Sequence, residues 1–151
     1  MSLRLVPCDA SARPLAQPPH TPWTGYLSLA AGRWVGGGGF AAPPRDGEVE
    51  IGYFTLPAWQ RRGHGRHTAA ALLAIARSAD PRLTVIAHTE RRADGTGQAA
   101  DDSASARILQ SLGFGAAVAA HDAEAGPVWR WAAPPGQDPG SHLPTDNGPP
   151  R

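Results

Sequence analysis

The stretch Gln60-Arg61-Arg62-Gly63-His64-Gly65 stands between two segments of different periodicity. Upstream, Glu48 to Leu56 alternates, with Val49, Ile51 and Tyr53 on one face and Glu48, Glu50 and Gly52 on the other, which predicts a strand. Downstream, roughly from Gly65 to Ala79, the apolar residues Ala69, Leu72, Leu73 and Ala76 recur at helical spacing, and Asp80-Pro81 stops the run. Glycines between a strand and a helix let the backbone approach a ligand closely. The helix N-terminus then offers free N–H groups and a partial positive charge, which suit a pyrophosphate. Arg61, Arg62 and Arg66 add full charge at the same place. The physics predicts an anionic, phosphate-bearing ligand; a glycine pair that only shapes a turn is the alternative reading of this segment alone.

Further elements lie on either side. Leu3–Val6, Trp23–Leu29 and Arg33–Phe40 are expected strands, although Gly36 to Gly39 carry no side chains to hold a register. Glycine inside a strand marks a bulge or the close approach of another backbone. Leu83–His88 is a compact strand. Ser103–Leu112 is a second helix with Ala104, Ile108 and Leu112 along one stripe, capped by Asp101, Asp102 or Ser103 and ended by Gly113. Gly115–His121 and Val128–Ala132 are two last strands, joined by a turn at Glu124-Ala125-Gly126-Pro127. The order predicts one mixed α/β layer over residues 1–133. The Pro/Gly-rich tail 134–151 is too poor in apolar residues to offset its ordering entropy and is expected to be disordered. Arg91 to Asp101 is read as a mobile loop, and Pro7 to Pro22 as irregular chain.

Composition narrows the chemistry. All 14 basic residues are arginine. Without lysine there is no Walker-type phosphate loop and no Schiff-base chemistry. One cysteine, Cys8, excludes an internal disulfide and a multi-cysteine zinc site within one chain. A formal net charge of +1 gives no support for nucleic-acid binding. No apolar run is long enough to span a membrane, and the first residues lack a signal-peptide pattern, so a cytoplasmic location is expected. His64 and His67 lie three apart, but no carboxylate or cysteine accompanies them at ligand spacing, so no metal is expected.

Gln60-x-x-Gly63-x-Gly65 resembles the acetyl-CoA signature of the GNAT N-acetyltransferase superfamily. Val49-Glu50-Ile51-Gly52-Tyr53 resembles the fourth strand of the branch that holds the ribosomal-protein alanine acetyltransferases. Ala87-His88-Thr89, the run Ser105 to Phe114, and Val128-Trp129-Arg130-Trp131 resemble that branch's fifth strand, following helix and closing strand. The likeness covers about Trp23 to Ala133 in consistent order. It implies a mixed, mostly antiparallel sheet flanked by helices, with a shortened helical region near the N-terminus.

The resemblance also implies acetyl-CoA as co-substrate and direct transfer of its acetyl group to an amine, either a protein or peptide N-terminus or a small molecule. Backbone groups near Tyr53, Phe54 and Thr55 would hold the pantetheine arm. Gln60, Arg61, Arg62, Gly63, His64, Gly65 and Arg66 would hold the pyrophosphate, with Asp102 and Ser105 also near the cofactor. Glu50 takes the place of a catalytic base in some members, with an ion-pairing or orienting role as the alternative. Glu48 shares its face, and His88 at the strand end is either structural or near the acceptor.

Three positions depart from the family pattern. Leu109 stands where many members carry a tyrosine acid, Asp102 where an asparagine is usual, and His67 where the branch has glutamate. Only Pro7 to Pro22 are available to build the acceptor wall, so that side is expected to be open, covered by Arg91–Asp101, or completed by a second subunit. A non-catalytic acyl-CoA-binding domain is the rival reading. A nucleotide-binding module is a weaker one.

Overall fold

A computed structural model describes residues 3–91 and 103–136. Seven strands form one sheet in the order β1-β2-β3-β4-β5-β7-β6. They are β1 Leu3–Cys8, β2 Gly25–Ala30, β3 Arg33–Phe40, β4 Glu48–Thr55, β5 Thr84–Glu90, β6 Val118–Asp122 and β7 Gly126–Ala133, with helices α1 His64–Ala79 and α2 Ala104–Ser111. Every neighbouring pair is antiparallel except β4 and β5, which run parallel because α1 carries the chain back between them. The expected mixed α/β architecture is therefore observed, with most boundaries within two residues of the expectation.

Three differences have local causes. The second strand starts at Gly25 rather than Trp23, because Thr24 N–H turns back to the Pro22 carbonyl at 2.9 Å. Trp23 instead sets its ring edge-on to Phe40, with centroids 5.0 Å apart. The sixth strand starts at Val118 rather than Gly115, whose N–H bonds the Ala132 carbonyl at 2.8 Å outside the β6 pairing. In α2, Ala104 is exposed, and the buried stripe is Ala106, Leu109 and Leu112. Leu109 is fully buried because an i, i+3, i+6 spacing of apolar residues turns it, not Ala104, to the core. Of the three expected caps, Ser103 does the work: its Oγ accepts from Ala106 N–H at 3.0 Å. Gly113, at φ +88°, ends the helix as expected.

One hydrophobic cluster joins the two helices to the sheet. Ala69, Leu72, Leu73 and Ala76 of α1 and Ala106, Leu109 and Leu112 of α2 pack with Val49, Ile51, Val85, Ala87 and Trp131. Burying one leucine such as Leu72 contributes about 2 kcal/mol. Inside this cluster the hydroxyls of Ser28 and Thr68 meet at 2.8 Å, so neither is left unsatisfied. At the last turn of α1, Arg77 donates to the carbonyls of Leu83, Ala133 and Pro134, which fastens the helix end to the start of β5 and the end of β7.

The glycine run of β3 has a steric reason. A Cβ at Gly37 would lie 2.6 Å from the Tyr26 carbonyl and 3.2 Å from the Phe54 ring. One at Gly38 would meet the Gly52 carbonyl and lie 2.9 Å from Leu72 Cδ1. Side chains are absent because neighbouring strands and α1 close onto β3.

By strand alternation, Glu48, Glu50, Ile86 and His88 project to the face opposite the helices. No helix lies between β1 and β2, so nothing from that connection covers this face with a helix. Among the described residues, no helix is long and apolar enough to cross a membrane. Asp102, most of the Arg91–Asp101 loop and all but the first three residues of the 134–151 tail lie outside the described residues.

Candidate active site

The parallel pairing of β4 and β5 runs from Glu48↔Thr84 to Ile51↔Ala87 and then ends. Both strands continue, β4 to Thr55 beside β3 and β5 to Glu90 beside β7. Between them the sheet opens into a V. The Glu50 carbonyl accepts from Ala41 N–H, and Leu56 N–H donates to Val35, so even-numbered residues of β4 turn their backbone groups to the β3 side. Alternation then turns the N–H and C=O of Tyr53 and the N–H of Thr55 into the gap. Phe54 turns its backbone to β3 and leaves its ring half exposed over Gly37.

The V leads to the start of α1. Gly63 is the N-cap, at φ +83°, and no side chain caps the helix. No acidic residue lies in its first turn, and the first helical bond, from His67 N–H to the Gly63 carbonyl, leaves the N–H groups ahead of it free of helical partners. A Cβ at Gly65 would lie 3.2 Å from Ile108 Cδ1 and 3.4 Å from Thr55 Oγ1, so this glycine lets the first turn sit against both β4 and α2. Gln60 Nε2 donates to the Thr55 carbonyl at 3.2 Å and ties the loop to the end of β4.

The cations are distributed around this turn. Arg61 is exposed, the Arg62 guanidinium stacks 5.1 Å over the Trp59 ring, and Arg66 Nε donates to Ser111 Oγ at 3.1 Å. His64 is buried and His67 exposed, so the two do not share an environment. A backbone edge with open hydrogen-bonding groups, running into an uncapped helix start ringed by arginines, fits an extended amide-bearing chain that ends in a pyrophosphate.

Tyr53 bridges the V to α2. Its hydroxyl donates to the Ser105 carbonyl at 3.4 Å, and burial pushes the phenol up to about 12. A phenol that ionises less readily when folded gives its full contribution below pH about 10, and that contribution is lost as pH rises from 10 to 12. Wild type should lose about 2 kcal/mol more than Tyr53→Phe over this interval. Urea denaturation of both chains at pH 9 and pH 12 measures the difference, with ionisations common to the two cancelling.

On the opposite face, acids and bases pair across the strands. Glu48 forms an ion pair with Arg130, which occupies it. Glu50 Oε1 lies 3.1 Å from His88 Nδ1, with side chains 32% and 22% exposed, so both remain reachable from solvent. His88 is the first residue of β5 beyond the last β4 pairing, which puts this pair at the root of the V. Asp122, at the end of β6, closes the group: one ligand-type atom from each of Glu50, His88 and Asp122 lies within 4.8 Å of the others. The Ala125 and Glu124 N–H groups both donate to Asp122 Oδ1, at 2.8 and 2.9 Å, and hold its carboxyl below the usual carboxylate range. Sequence reading reached Glu50 but not Asp122, whose strand, β6, is separated from β5 in the sheet by β7.

The same fold recurs among solved structures. A ribosomal-protein-S5-alanine acetyltransferase from Vibrio fischeri matches with a TM-score of 0.60 and 14% identity over 76% of this chain and 62% of its own. A GNAT-family acetyltransferase from Bacillus anthracis matches at 0.53 and 18%, over 73% of this chain and 65% of its own. An acetyltransferase candidate from Salmonella typhimurium, solved with its cofactor acetyl-CoA, matches at 0.55 and 22%, over 74% and 64%. This chain has the GNAT fold. It spans just under two thirds of the length of each of these three proteins. No protein-family model matches the sequence, and no curated protein does. Leu109 is fully buried in the core cluster between α2 and the sheet.

Proposed function

We propose that this chain is an N-acetyltransferase that moves an acetyl group from acetyl-CoA to an amine. The observation that carries this reading is the groove: a sheet opened at Ile51/Ala87, a free β4 edge at Tyr53 and Thr55, and an uncapped, arginine-ringed helix start at Gly63. The Tyr53 and Thr55 backbone groups would pair with the pantetheine amides. The N–H groups at the start of α1, with Arg61, Arg62 and Arg66, would hold the pyrophosphate. The bound thioester supplies an activated acetyl group. Glu50, at the root of the V, receives the acceptor and its proton. The ribosomal-protein acetyltransferase of like fold supports a protein or peptide N-terminus as acceptor, with a small amine as the other class.

Leu109 motivates the rival reading, an acyl-CoA-binding domain without turnover, because its buried side chain supplies no acid for the leaving thiolate. Calorimetry with CoA, followed by thiol release over a panel of peptides and small amines, separates the two. Micromolar binding with amine-dependent thiol release is expected. Binding without release across the panel would favour the rival, and absence of binding would remove both. Light scattering of the same sample reads whether the chain self-associates, as completion of the acceptor side by a second subunit requires.

A further inference from the structure

The Glu50–His88–Asp122 group does more than one base requires. An amine at neutral pH arrives as an ammonium ion and must lose a proton before it can attack. A carboxylic acid, ordinarily near 4.3, is a poor final holder of that proton, whereas imidazole, ordinarily near 6.5, is better by about two units. His88 Nδ1 is within hydrogen-bond reach of Glu50, and Asp122 lies beside the same imidazole. The other groups facing His88 are accounted for. Arg130, opposite it in register, is paired to Glu48; His121 adjoins Asp122 on β6; and Glu90, next on its own face of β5, is exposed.

Building on the acetyl-transfer reading above, we propose that Glu50, His88 and Asp122 form a proton relay at a subsite for cationic primary amines. Glu50 receives the ammonium, and one N–H proton passes through Glu50 to His88. The resulting imidazolium has a carboxylate oxygen of Glu50 and of Asp122 within 4.8 Å of a ring nitrogen. The freed nitrogen lone pair forms the C–N bond to the acetyl carbon as the C–S bond breaks. The thiolate takes the second proton that the new amide nitrogen sheds, and His88 returns the first to solvent. One proton is therefore released per turnover, and no oxidant or metal is needed. His88 is a catalytic residue in this scheme and Asp122 a positioning residue.

The test uses the full chain with acetyl-CoA and the best amine of the panel. His88→Gln should lower kcat about 100-fold and remove the rising limb of the pH–rate profile, with CoA affinity unchanged. His88→Ala should regain part of its turnover when free imidazole is added, a rescue that a structural role would not show. Asp122→Asn keeps an acceptor for the Glu124 and Ala125 N–H groups while removing the charge; kcat should fall about 5-fold with Tm unchanged. Wild-type turnover with His88→Gln equally active would overturn the relay and leave acetyl transfer standing. Loss of turnover without imidazole rescue, or stimulation by Zn²⁺ or Mn²⁺ that EDTA removes, would also overturn it, the latter in favour of a metal held by the same three side chains. Failure of wild type to release thiol with any amine would instead remove the acetyl-transfer reading itself.

Discussion

Gly63→Asp should abolish CoA binding while leaving the fold in place. Gly63 sits at φ +83°, a left-handed conformation that strains any side chain but that aspartate and asparagine enter more readily than most residues, and a Cβ there meets nothing within 4 Å. The packing of α1 against the sheet is therefore untouched. The new carboxylate would stand beside the free N–H groups at the helix start, compete for them, and repel a pyrophosphate at the same place. A hundredfold or greater loss of affinity is expected, equivalent to about 3 kcal/mol. Gly63→Asn is the matched control: it carries the same bulk and backbone preference without charge and should lose far less. Calorimetry with CoA on the three chains measures this, and circular dichroism confirms that each is folded. Equal losses for Asp and Asn would attribute the effect to shape rather than to an anion site.

Glu50→Gln should lower kcat by about 100- to 1000-fold at neutral pH, within the range for loss of a general base. The amide keeps the side chain's size and a hydrogen-bond acceptor toward His88 but accepts no proton from an ammonium. CoA affinity should change little, because Glu50 projects to the face opposite the helices while the proposed pyrophosphate site is the start of α1. Glu48→Gln provides the contrast. Its carboxylate is paired to Arg130, so its loss should cost turnover much less than loss of Glu50. Steady-state kinetics across pH on both variants decide between them. Equal, small effects would reassign Glu50 to a structural ion pair with His88.

Much of the fold was legible because local signals agreed with one another. The Val49/Ile51/Tyr53 alternation, the Ala69–Ala76 spacing and the Asp80-Pro81 stop each reported a local periodicity or a backbone restriction, and all three reappear in β4 and α1. The glycine run Gly36–Gly39 looked unable to hold a register. It is a full strand because its register is imposed by β2 and β4, whose backbones approach where side chains would stand. The loop–helix junction at Gly63 was legible as well, since its glycines, the helix start and the arginines are contiguous in the chain. The side-chain group on the opposite face was not. Glu50, His88 and Asp122 are separated by more than thirty residues at each step, and only the parallel β4–β5 register and the β5-β7-β6 order bring them together. Leu109 likewise depended on which side of an eight-residue helix faced the core.

The claim on which the rest depends is that one groove, from the root of the β4–β5 V to the start of α1, holds acetyl-CoA. Backbone amide NMR during titration with CoA tests it most directly. The largest shifts should fall on Tyr53 to Thr55 and on Arg62 to Arg66, with His88 responding at the root of the V and β1 and β2 unchanged. Saturable shifts confined to β1–β2, or no shifts at millimolar CoA, would contradict it.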